Sequence, residues 1–93
     1  MDTAVFVVIK TREDEEGKII LQMLVEYGAE LNVVNSMGQN PLFYSIAHNK
    51  PKICRYLVKQ KVDPAIEDAF GQTPKEYALS LCRNEFVSIL EMG

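Results

Sequence analysis

His48, Cys54 and Cys82 are the residues of this chain best suited to move a proton or attack an electrophile, yet their surroundings argue against either role. His48 is the only histidine, so a histidine pair is excluded, and no acid or base partner for a nucleophile stands out. It reads as a surface residue at a helix end. Cys54 falls on an apolar stripe with Ile53 and Leu57, as a small core residue would. Cys82 stands where a helix-ending glycine is expected and should be more exposed. Without a CxxC pair or a second ligand cluster, neither a disulfide framework nor a zinc site is indicated. The acidic run Glu13 to Glu16 could meet a basic partner or hold calcium weakly. It lacks the spaced ligands and central glycine of a calcium loop, so a solvated inserted loop is expected there. With no phosphate-cradling glycine loop and no nucleophile–base pair, the chain is expected to have no catalytic site, metal or cofactor.

The chain that must position these residues is one domain long, 1–93, and small enough for marginal stability. Hydrophobic residues at 47% and charged residues at 25% place it among folded chains and away from the disordered class. Its net charge of −3 gives no electrostatic reason to seek phosphate backbones or anionic lipid, so neither nucleic acid nor membrane is an expected partner. No apolar run approaches the roughly 18 residues that span a bilayer. The longest, Ala4 to Ile9, follows Asp2 where a signal peptide would carry a cation, and a cytoplasmic or nuclear location is expected.

An internal repeat organises the sequence. Gly38-Gln39-Asn40-Pro41 and Gly71-Gln72-Thr73-Pro74 share three of four residues and lie 33 residues apart. The same step aligns Ile20, Ile53 and Phe86, then Leu24, Leu57 and Leu90, and keeps each column apolar. It also sets Tyr44 on Tyr77, Glu30 on Asp63 and Asn35 on Asp68. Asn40 and Thr73 each place a capping side chain before a proline, which suits the N-cap and first position of a short helix. Pro51 opens a second helix, whose apolar residues Ile53, Cys54, Tyr56, Leu57 and Val58 share one broad face. Equivalent helices are expected over Ile19 to Glu26 and Glu85 to Met92, with Gly28 as a left-handed stop and Asn32 to Met37 as a turn-rich connection.

Leu24 to Asn32 resembles the ankyrin phrase leucine-leucine-x-x-glycine-alanine-aspartate-valine-asparagine, and Gly71-Gln72-Thr73-Pro74 resembles the phrase that opens each ankyrin repeat. The resemblance covers nearly the whole chain, in units of about 3–34, 35–67 and 68–93. It implies a mainly α fold: a solenoid of helix-turn-helix units joined by finger loops or short β-hairpins. Three departures stand out. Phe43 and Glu76 occupy the family's histidine position, so the hydrogen bond between turns that the histidine implies is absent. Lys61 replaces a glycine and must take the helix-stop conformation unless the loop deviates. The first unit lacks the proline and carries a four-residue insertion around Thr11 to Gly17.

In such a stack the apolar helix faces are buried between neighbours, leaving the finger tips and the exposed side of the first helices for binding. The resemblance therefore implies a protein-interaction module, an adaptor or scaffold whose partner is another protein. By repeat position the surface holds Ser36, Met37, Gln39, Tyr44, Ala47 and His48 in the middle unit, and Ala69, Phe70, Gln72, Tyr77, Ser80 and Leu81 in the last. Met37 and Phe70 both precede a turn glycine, where a large apolar side chain has little core to enter, so they are the expected contact pair. Leu24, Glu30, Leu31 and Asn32 also resemble the pattern preferred by an ankyrin-directed asparaginyl hydroxylase, although Asn32 can equally cap its own finger.

The run Ala4 to Ile9 is apolar all round, whereas a terminal repeat normally exposes a polar outer face. Preceding repeats, a partner or a second copy of the chain would be needed to cover it, unless its β-branched residues pair as a strand. The alternative reading of function follows from this run: a structural docking segment of a larger assembly or multidomain protein, self-associating through its N-terminal unit.

Overall fold

The computed structural model describes residues 4–92, which form six α-helices: α1 (Ala4–Thr11), α2 (Asp14–Glu26), α3 (Pro41–Ala47), α4 (Pro51–Lys59), α5 (Pro74–Ser80) and α6 (Asn84–Met92). Consecutive helices pack in pairs, α1 on α2, α3 on α4 and α5 on α6, while like helices line up in two rows, α1–α3–α5 and α2–α4–α6. No described helix is long and apolar enough to cross a membrane.

Local chemistry starts and stops these helices. The Asn40 side chain accepts from the Leu42 and Phe43 N–H groups at 3.1 and 3.4 Å, and Pro41 fills the first helical position, where no N–H is needed. Thr73 and Glu76 form a reciprocal capping box ahead of α5. Glu76, at the family's histidine position, thus spends its carboxylate on its own helix. The ends use one device four times: a residue at positive φ (Gly28, Asn49, Lys61, Cys82) turns the chain, and the next N–H reaches back five residues. In the third of these, Lys61 at φ 62° takes the stop expected of it, with Val62 N–H bonded to the Leu57 carbonyl at 3.2 Å.

Leu21, Leu42, Ile46, Ile53, Cys54 and Leu57 are fully buried between the two rows and form the centre of one continuous core. Aromatic pairs join successive units where the histidine bond is missing: Phe6 meets Tyr44 with ring centroids 4.5 Å apart, and Phe43 meets Tyr77 at 5.6 Å. Each pairs a phenylalanine with the tyrosine of the next unit, a contact that also removes apolar area from water.

Two expectations are corrected. The acidic run is not a solvated loop. α1 continues to Thr11, and the inserted residues lengthen α2 to 13 residues, against 9 in α4 and in α6. Asp14, Glu15 and Glu16 occupy its first turn, where negative charge faces the positive end of the helix. Nor is the run Ala4 to Ile9 a strand. It is helix α1, with Val5, Phe6 and Ile9 buried by the chain itself and Val7 exposed. The connections are finger loops, the first of the two forms expected: among the described residues there is no strand and no β-bridge.

Candidate interaction surface

Each finger is a tight turn organised by one polar side chain at its base. In the first, Asn35 accepts from the Met37 and Gln39 N–H groups through Oδ1 at 2.9 and 3.0 Å, and its own N–H donates to the Gln39 carbonyl at 3.0 Å. Asp68 repeats the arrangement in the second, accepting from Phe70 and Gln72 at 2.9 and 3.0 Å. Gly38 and Gly71, at φ 74° and 77°, complete the turns in a region that side chains with a Cβ seldom enter. The two fingers touch: Ala69 N–H donates to the Met37 carbonyl at 2.8 Å, and a Cβ on Gly38 would lie 3.3 Å from the Asp68 Cα.

This geometry leaves the residue before each glycine outside the core. Met37 is 41% exposed and Phe70 73% exposed. Ser36 and Ala69 are exposed beside them, and Gln39 and Gln72 are half-buried at the turn bases. Tyr44 is drawn into the scaffold instead. Its ring packs on Phe6, its hydroxyl accepts from Asn35 Nδ2 at 3.3 Å, and His48 lies against its other side at 5.9 Å between centroids. Tyr77 is half-buried on Phe43, while His48 and Leu81 are exposed at the ends of α3 and α5. Partial burial, then Lys50 and Lys10, hold the His48 imidazole below its ordinary 6.5. The structure therefore brings Met37, Ala69 and Phe70 into one patch and ties Gln39 and Tyr44 to it through Asn35.

Asn32 is exposed but does not cap its own finger through its side chain. Its Oδ1 accepts from the Asp63 N–H at 3.1 Å, Asp63 returns its carbonyl to Asn40 Nδ2 at 2.8 Å, and Glu30 caps the Asn32 N–H at 3.1 Å. Cys54 is buried, and burial pushes its thiol up to about 11 against a hydrogen bond from Ser45; Cys82 is exposed. Among the described residues no three His, Cys, Asp or Glu side chains converge as a metal site.

Two organising roles escaped sequence reasoning. Asn35 and Asp68 share a repeat column, which was the available signal. Asp14 accepts from the Lys52 and Ile53 N–H groups at 2.9 and 3.0 Å and so caps α4 from another helix; nothing local announces it.

A family model described as ankyrin repeats in three copies matches residues 8–92. Among curated relatives, the ADP-ribosylation factor GTPase-activating protein AGD4 of Arabidopsis thaliana is 30% identical over 63 residues, 68% of this chain and 8% of that protein. The ankyrin repeat protein FPV031 of Fowlpox virus is 29% identical over 94 residues, 96% of this chain and 26% of its own length. An ankyrin repeat protein of Rickettsia bellii is 32% identical over 63 residues, 68% of this chain and 38% of its own. The chain thus spans well under half the length of each of these relatives.

Proposed function

The chain belongs to the ankyrin-repeat family, and from that premise we propose that it is a protein-interaction module, an adaptor or scaffold that holds a partner on its finger tips and first-helix face. Met37 and Phe70 form the centre of the contact, with Ser36, Gln39, Ala69 and Gln72 as its rim and Tyr44, His48, Tyr77 and Leu81 along the adjoining helices. One observation carries the reading: two large apolar side chains stand exposed on adjacent fingers that a backbone hydrogen bond from Ala69 to Met37 joins. A preformed patch loses little entropy on binding, and buried apolar anchors rimmed by amides are what a small hot spot requires.

No catalysis, cofactor or metal enters this reading, and the similarity to the plant GTPase-activating proteins is not extended to their activity. A cytoplasmic or nuclear place of action suits two cysteines that form no disulfide. The same reading makes Asn32 a site of hydroxylation, supported by its exposure beside Leu31 and Glu30. Treatment with the ankyrin-directed hydroxylase should add one oxygen at Asn32, and an unchanged mass would remove that part.

The binding surface is tested by affinity capture from cell extract with the wild-type chain and with Met37→Ser combined with Phe70→Ser. Proteins retained by the wild type should be lost from the double variant, with binding weakened by about 2 kcal/mol or more while the melting temperature moves little. Equal capture by both chains would move the interface elsewhere.

A further inference from the structure

Four of the chain's ten lysines and arginines line one hollow of about 420 Å³ between α2 and α4: Lys18, Lys52, Arg55 and Lys59. Its lining draws nothing from the fingers or the first helices, so it is a surface separate from the patch proposed above. Glu15 is the one carboxylate among its lining residues. A chain of net charge −3 therefore concentrates positive charge in one concave place. Concave, low-dielectric walls focus such a field.

The chain already shows which chemistry the hollow accepts. The Glu15 carboxylate sits 3.1 Å from Lys52 Nζ, and Lys52 followed by Lys18 draws that carboxyl below its usual range. Arg55 and Lys59 make no hydrogen bond or ion pair among the described residues and are left facing solvent. Lys52, Arg55 and Lys59 follow at three- and four-residue steps on one side of α4, a row of about 10 Å. Carboxylates on alternate residues of an extended peptide lie about 7 Å apart, so two or three of them span that row. Gln22 and Gln60 line the same hollow with amides that both donate and accept, as a peptide backbone requires and a bare anion does not. Arg55 adds a planar fork matched to a carboxylate.

We infer that this hollow is a second docking site and that its occupant is a short acidic segment of a partner protein. A nucleic acid or an anionic membrane would bring its charge against the whole acidic chain, whereas a short segment engages the hollow alone. Salt should weaken the contact, because exposed charges are screened beyond about 10 Å at 0.1 M.

Fluorescence anisotropy with a fluorescein-labelled octaglutamate peptide tests the assignment. Binding should be measurable at low salt and fall as salt rises. Arg55→Glu combined with Lys59→Glu should weaken it roughly tenfold or more with an unchanged melting temperature, whereas Lys61→Glu combined with Arg83→Glu, equal in charge but outside the row, should have a much smaller effect. Glu15→Gln should tighten it by removing the chain's own carboxylate from the hollow. Absence of peptide binding, equal loss in both double variants, or equally strong binding to phosphatidylserine vesicles or single-stranded oligonucleotide would overturn it. Because the finger patch is untouched in every variant, these outcomes do not depend on that reading.

Discussion

Cys54 and Cys82 differ by one structural fact, burial against exposure, and that fact sets their chemistry. Cys54 is buried beside Ser45, and its thiol is held up to about 11, while Cys82 is exposed at φ 58°. Iodoacetamide at pH 8 should therefore modify one thiol per folded chain and two after unfolding; rapid modification of both in the native state would contradict the packing. The same burial ties stability to pH. The folded thiol lies above its ordinary 9.0, so the neutral form favours the fold below about pH 9, and that contribution is lost as pH rises from there toward about 11. Loss of stability over that window should be smaller in Cys54→Ala. Lys61 offers a further residue-scale check. A non-glycine residue in the left-handed region is strained by about 1–2 kcal/mol, so Lys61→Gly should raise the melting temperature. Lys61 and Cys82 were legible as stops because repeat register assigns them a glycine's place. The Asp14 cap was not, because its partners, Lys52 and Ile53, lie 38 and 39 residues away, and a carboxylate in an acidic run looks solvated until the fold brings it to a helix end.

At the scale of the helix, the joint between α2 and α4 decides how the first unit is held. Gly17 lies buried in it, and a Cβ there would approach Ile53 Cδ1 to 2.7 Å, so the two helices pass closely at that point. Asp14 bonds the α4 N-terminus across the same joint, and Asp14→Ala should destabilise the chain by about 0.5–2 kcal/mol, as loss of a helix cap does. Chemical denaturation with an unchanged midpoint would show that the cross-helix cap contributes nothing. Leu57, fully buried on α4 with a unit on either side, should be costlier: Leu57→Ala should lose about 2–5 kcal/mol, enough to unfold much of a small domain. The helices of the second and third units were legible from proline, cap and apolar spacing. The first unit was misread because its insertion runs from the end of α1 into the first turn of α2, where an acidic run gives a loop and a first helical turn the same composition. The correct choice depends on the helix field and on α4 nearby, neither of which a local window contains.

Taken whole, the described residues form two rows of three helices with the fingers at their junctions, and the binding surface proposed for the chain follows from that repetition. Repeat spacing made the finger residues legible as a group, since Met37 and Phe70 occupy one column. It could not separate Tyr44 and Tyr77 from them, because the burial of those rings depends on Phe6 and Phe43 in neighbouring units. Whether the finger tips carry the partner, as proposed, is decided by hydrogen–deuterium exchange on the chain with and without its captured partner. Exchange should slow on binding across residues 35–39 and 68–72 together, extending to the exposed ends of α3 and α5. Protection confined to α2 and α4, with both fingers exchanging at their free rates, would contradict it.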